Sequence, residues 1–171
     1  MDLEARSHVE HPKALRLWLR MLTCTQLIEK RVRAQLRDQF DTTLPRFDLM
    51  AQLERHPDGL KMNELSRRLM VTGGNVTGIT DQLVREALVE RTGVEGDRRA
   101  WRVRLTAQGR AVFQAMARQH EGWIVSAFDG LSGRDMQTLH TLLGQLKHQI
   151  DSDTPLNTPG DQPAQPALVT D

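Results

Sequence analysis

The chain contains no tyrosine, a single cysteine and only 4% aromatic residues across 171 positions. One cysteine, Cys24, cannot close an intrachain disulfide, which excludes the disulfide-stapled secreted class and fits a reducing cytoplasm. No run approaches the roughly 20 consecutive apolar residues that cross a bilayer. The first residues, MDLEARSHVEHPKAL, are charged and lack the apolar core of a secretory signal. A cytoplasmic protein with no membrane partner is therefore expected. No nucleophile–base pair is evident, and Gly73-Gly74 precedes a helical pattern without the lysine of a phosphate-cradling loop. The histidines (His8, His11, His56, His120, His140 and His148) show no tight ligand spacing and have no second cysteine beside them. Neither an enzyme, a cofactor nor a metal site is expected. There are no internal repeats.

A hydrophobic content of 39% with 26% charged residues suits a soluble chain with a lean core, organised as one domain or one domain plus a tail. The formal net charge of +1 conceals a segregation. From Asp151 to Asp171 there are four aspartates, four prolines and no lysine or arginine. Apolar periodicity disappears there too, so residues 151–171 read as a disordered acidic tail. Between Leu60 and Arg110, ten basic residues face six acidic ones. Phosphate backbones attract such a basic stretch, although an ordinary solvated surface has the same composition.

Residues 1–11 read as an extension. From Pro12 to Gln39, apolar positions Leu15, Trp18, Leu19, Leu22, Val32 and Leu36 recur near helical spacing. Pro12 is tolerated in the first turn, and Lys30, Arg31, Arg33 and Arg37 make the second half basic. A second helix is predicted from Thr43-Leu44-Pro45, with Thr43 as cap and Phe47, Met50 and Leu53 inward; His56-Pro57-Asp58-Gly59 stops it. A third helix spans Met62 to Met70. Val71 to Gly74 form a turn, and Thr72 caps a fourth helix reaching Ala87. That helix turns Val76, Ile79, Leu83 and Val84 to one side. The other side carries Gly74, Asn75, Thr77, Gly78, Asp81 and Gln82, which are small or short and polar. Such a face admits another surface closely. Asn and Gln pair bidentately with adenine in the major groove, and a threonine methyl meets a thymine methyl. A poor surface helix with two costly glycines is the plainer reading.

Leu88 to Arg91 and Trp101 to Leu105 read as strands, the second alternating apolar and basic residues with period two. Between them, Thr92 to Ala100 forms a loop bearing Asp97, Arg98 and Arg99, suited to a minor groove or to phosphates. Thr106 caps a fifth helix over Ala107–Phe128. Ser132-Gly133-Arg134-Asp135 resembles a capping box that opens a sixth helix reaching Ile150. The apolar stripes of the first and sixth helices exceed what a small domain needs. They suggest a dimer interface, or packing on each other within one chain.

The stretch ELSRRLMVTGGNVTGITDQLVREALVERTGVEGDRRAWRVRLTAQG resembles the central signature of the MarR family of bacterial winged-helix repressors. The most typical element is Asp97-Arg98-Arg99 followed by Leu105-Thr106-Ala107-Gln108-Gly109. The resemblance covers residues 12 to 150. It implies a mainly α fold: a winged helix-turn-helix (43–106) with a two- to three-stranded antiparallel wing, and flanking helices (12–40 and 107–150) forming a dimerisation domain. It also implies a homodimer that places each fourth helix in a major groove of a pseudo-palindromic operator, with half-sites about 34–36 Å apart. By position, Arg99 matches the wing-tip arginine and Asp97 the residue that holds it. Thr72, Gly74, Asn75, Thr77 and Gln82 fall at DNA-contacting positions. The tandem Gly73-Gly74 departs from the family pattern.

The family further implies a small effector, often aromatic or phenolic, between the dimerisation and DNA-binding parts. Here that junction draws on Trp18 and Leu22, on Arg46, Phe47 and Met50, and on Phe113, Met116 and His120, with Arg46 pairing a carboxylate. The expected function is a repressor released by a small aromatic acid or its CoA thioester, whose phosphates the Lys30–Arg37 cluster would meet. Two other readings stand beside it. One is a redox sensor acting through Cys24, although that residue lies in an apolar helical stretch that reads as core. The other is a winged helix used for protein–protein assembly.

Overall fold

The computed structural model describes residues 12–69, 76–94 and 97–151, the side chains of Pro12, Val94 and residues 97–100 aside. The expected extension (1–11) and nearly all of the expected tail (152–171) lie outside the described residues. So do Thr72, Gly73, Gly74 and Asn75. The chain divides into two compact units, Met1–Ala127 and Phe128–Asp171.

In the first unit, helices α1 (Pro12–Phe40) and α2 (Leu44–Glu54) lead to strand β1 (Leu60–Lys61) and helix α3 (Met62–Arg68). Helix α4 (Val76–Arg85), strands β2 (Val89–Val94) and β3 (Asp97–Leu105), and helix α5 (Ala107–Ala127) follow. The strands form one antiparallel sheet in the order β1-β3-β2. The core gathers Val32 and Leu36 from α1, Phe47, Leu49, Met50 and Leu53 from α2, Leu65, Leu83, Val103 and Leu105, and Phe113 and Met116 from α5. Helix α2 is buried on several sides and forms the hub, so its apolar positions outnumber a single stripe.

Three expectations are corrected. Leu60 and Lys61, between the stop at Gly59 and the third helix and assigned to no element, are a strand paired with Val103 and Arg102. Two residues carry no visible alternation, so periodicity could not reveal it. The loop expected over Thr92 to Ala100 is mostly ladder, because β2 continues to Val94 and β3 begins at Asp97. Glycine and charge at the distal end masked that pairing. Thr43 precedes α2 with extended backbone but makes no side-chain cap; its carbonyl instead accepts the Phe47 N–H at 3.0 Å.

Two connections fix the sheet against the helices. Gly59 has φ +82°, and a Cβ there would lie 2.8 Å from the Val103 carbonyl oxygen, so the turn before β1 requires glycine. At the end of α4, Ala87 takes the left-handed conformation (φ +56°) that glycine usually fills. There Leu88 N–H donates to the Leu83 carbonyl and Ala87 N–H to that of Val84, both at 3.0 Å. Thr106 bridges this corner to α5. Its hydroxyl donates to the Ala87 carbonyl at 2.7 Å and accepts the Gly109 N–H at 2.9 Å, capping the helix as expected.

The second unit carries α6 (Gly133–Asp151). Asp135 N–H donates to Ser132 Oγ at 3.1 Å, and that hydroxyl donates to Asp135 Oδ2 at 2.6 Å. The short aspartate thus meets the capping hydroxyl rather than reaching back to the backbone as a glutamate would. No residue of α6 is buried, and Met136, Leu139, Leu142, Leu143 and Ile150 are exposed.

Candidate nucleic-acid interface

Helix α4 is anchored by two buried residues, Thr80 and Leu83. Thr80 has no side-chain contact with water and donates its hydroxyl to the Val76 carbonyl at 2.7 Å. Thr77 and Gln82 project into solvent and Gly78 is partly covered, so the side expected to meet DNA is the open one. Asp81, counted on that polar side, is engaged by Arg91 of β2. At the far end of the helix, Arg46 of α2 grips Glu86 with both terminal nitrogens, Nη1 donating to Oε1 at 2.8 Å and Nη2 to Oε2. That hydrogen bond holds the Glu86 carboxyl below its ordinary range. Helix α4 is therefore held from both sides by arginine–carboxylate pairs, one to α2 and one to the wing.

The wing hairpin alternates regularly. Val89↔Leu105, Arg91↔Val103 and Gly93↔Trp101 share one face, and Glu90↔Arg104 and Thr92↔Arg102 the other. On the outer face Arg104 Nε donates to Glu90 Oε1 at 2.6 Å, and Arg102 Nη1 to the Gly59 carbonyl at 2.9 Å. Asp97, Arg98 and Arg99 lie at the distal start of β3, at the wing tip where the sequence put them; their side chains are outside the described set.

This arrangement of helices, hairpin and exposed helix face is shared with known proteins. A model of the MarR family matches residues 40–100, from the end of α1 into β3. The transcriptional activatory protein BadR of Rhodopseudomonas palustris is 30% identical over 137 residues, which cover 76% of this chain and 76% of BadR. The chain belongs to the MarR family. A MarR family transcriptional regulator from Silicibacter pomeroyi has the same fold, with a TM-score of 0.72 and 29% identity over 84% of this chain and 99% of that one. Sco3205 of Streptomyces coelicolor, a MarR regulator whose structure is in complex with DNA, superposes with a TM-score of 0.70. At 19% identity, over 86% of this chain and 92% of Sco3205, that likeness concerns the fold. The protein is a DNA-binding transcriptional regulator of the MarR type.

The residues expected at this MarR chain's effector junction separate into groups. Phe47 and His120 stack with ring centroids 4.8 Å apart, and Phe47 lies 5.4 Å from Phe113. Phe47 and His120 line a cavity of about 340 Å³ together with Asp48, Gln52, Arg55 and Arg68. Burial lowers the His120 pKa, keeping the imidazole neutral near pH 7. Burial raises that of Asp48, opposed by Arg33 and reinforced by Glu29. Met50, Phe113 and Met116 are core residues with little exposed surface. Trp18 is 56% exposed, and Leu22 is half-buried on the same helix. Arg46, expected to meet a ligand carboxylate, has Glu86 as its partner instead.

Arg55 and Arg68 escaped the sequence reading because they look like wet helix-end residues. The signal available was position: Arg68 ends α3. Cys24 is also corrected, since the thiol is exposed rather than core. Its part of α1, with Leu17, Trp18 and Leu27, is left uncovered by the chain's own core. Among the described residues no cluster of three or more His, Cys, Asp or Glu side chains gathers to hold a metal, and no helix is long and apolar enough to cross a membrane.

Proposed function

We propose that the protein is a homodimeric repressor lifted from a pseudo-palindromic operator by a small aromatic carboxylate or its CoA thioester. The observation that carries this reading is the cavity lined by α2, the end of α3 and α5. Its aromatic wall (Phe47, His120) suits a ring, and its two guanidinium groups (Arg55, Arg68) suit a carboxylate. At about 340 Å³ it suits one ring with a short substituent, so a CoA moiety would extend outside. Leu69 also lines it, directly before the segment leading to α4. A ligand seated there touches the end of α3, from which the chain leads on to α4. Driving the population from 1:99 to 99:1 takes about 5.5 kcal/mol of differential affinity. The exposed apolar residues of α1 and, separately, of α6 support self-association, since monomers rarely leave such stripes open.

A thermal-shift series with benzoates, other aromatic acids and their CoA thioesters tests the effector. At 100 times its Kd a ligand adds about 2.7 kcal/mol, or roughly 5–11 °C for a chain of this length. Arg68→Gln, at an exposed position, should abolish the shift while leaving the unliganded Tm in place. If no acid shifts the Tm, or the shift survives Arg68→Gln, the carboxylate reading fails. The exposure of Cys24 favours one second reading, thiol oxidation as the trigger. In that case Cys24→Ser abolishes peroxide sensitivity of DNA binding, and persistence of that sensitivity rules the reading out.

A further inference from the structure

The inner face of the wing carries a residue that the core does not use. Trp101 is 52% exposed, yet it shares the face of Val103 and Leu105, which are buried against the helices. Arg91 lies on this same face and reaches Asp81, which establishes that the face looks toward the recognition helix. Two residue pairs further out, beyond the Arg91–Asp81 bridge, Trp101 stands opposite Gly93. Gly93 is not required by its backbone, which has no positive φ, nor by packing, since a Cβ there meets nothing within 4 Å. The missing side chain leaves open space beside the indole. A glycine inside a strand often marks the close approach of another molecule. The described cations of the wing are meanwhile committed within the protein, Arg91 to Asp81, Arg102 to the Gly59 carbonyl and Arg104 to Glu90.

We propose that Trp101 is a DNA-contacting residue whose indole lies on the sugars of the strand passing between recognition helix and wing. The inference rests on the docking that the MarR resemblance implies, α4 in a major groove and the wing tip in the adjacent minor groove. With the helix in a major groove and the wing tip in the adjacent minor groove, the backbone separating the grooves must run along the inner wing face. An indole offers that backbone an apolar surface matched to deoxyribose C–H groups, and the gap over Gly93 admits it. The contact is blind to sequence and adds affinity without charge.

The test uses the full-length protein and the duplex that the wild type enriches from a random 40-base-pair library. Trp101→Ala is expected to raise Kd about tenfold, near 1.4 kcal/mol. Gly93→Val, which fills the gap, should raise it by a similar factor. Neither should move the Tm, and the slope of log K against log salt should stay at the wild-type value, because an apolar contact releases no counterion. An unchanged Kd in either variant overturns the proposal. So does a slope shallower by about one, which would mark a phosphate contact, or an altered oligomeric state of the DNA-free variants, which would mark a protein–protein surface. If the wild type enriches no duplex, the DNA-binding reading itself fails and the proposal falls with it.

Discussion

Gly109→Ala is expected to destabilise the protein by at least about 3 kcal/mol, a loss of roughly 6–12 °C in Tm for a chain of this size. The sign is informative, because alanine normally favours a helix over glycine by about 1 kcal/mol. Here a Cβ would sit 1.8 Å from the Leu88 carbonyl oxygen and 2.7 Å from its carbon. Both are backbone atoms, so no side-chain rotation relieves the clash. Neither segment is free to withdraw. The same Leu88 carbonyl accepts the Thr106 N–H at 3.1 Å, and the Gly109 N–H is held by Thr106 Oγ1. Moving α5 away would break the cap and separate the recognition-helix corner from the helix behind it. Circular dichroism melts of Gly109→Ala beside Gly122→Ala, where a Cβ meets nothing, give the contrast. Equal stability of the two would contradict this close approach.

Leu83→Ala is expected to cost about 2–5 kcal/mol and to weaken DNA binding even in the fraction that stays folded. Leu83 is fully buried, and it is the one apolar residue of the ten-residue α4 to be so; Val76, Ile79 and Val84 pack against the core only in part. The Leu83 carbonyl also receives the Leu88 N–H that turns the chain toward the wing. A cavity at this position loosens the helix where it must hold its angle to the groove. Gln82→Ala, one residue earlier and exposed, should change stability by no more than about 0.5 kcal/mol while relaxing base preference at one operator position. Urea melts paired with DNA titrations of both variants separate anchoring from reading. If Leu83→Ala bound DNA normally below its melting range, α4 would not depend on this anchor.

Most of the helical frame was legible in the sequence, because long amphipathic segments with clear stops (His56 to Gly59, Thr106, Ser132) leave few alternatives. The family signature located the wing and the recognition helix. The missed elements were those whose cause lies far away in sequence. β1 exists because Val103 and Arg102 pair with it, and the distal hairpin is ladder because β3 continues past Trp101. Side-chain partnerships were harder still. Arg46 meets Glu86 across 40 residues, and Arg110 reaches Glu54 at 2.8 Å across 56, neither of which any local spacing encodes. Phe47 and His120 stand together in the effector junction that the MarR resemblance implies. Arg55 and Arg68 were overlooked because a charged residue at a helix end looks the same whether it borders solvent or a cavity.

The pairs that brace this unit (Arg46–Glu86, Arg91–Asp81, Arg104–Glu90 and Arg110–Glu54) are all built on arginine. Between Leu60 and Arg110, Lys61 is the single lysine among ten cations. A guanidinium keeps its charge at every pH a cell reaches, whereas an ammonium can be erased by acylation. The positive charge between Leu60 and Arg110 is therefore closed to acetyl transfer at all but one position. Amine-directed labelling or acetylating stress would leave the charge of this stretch intact at every position but Lys61.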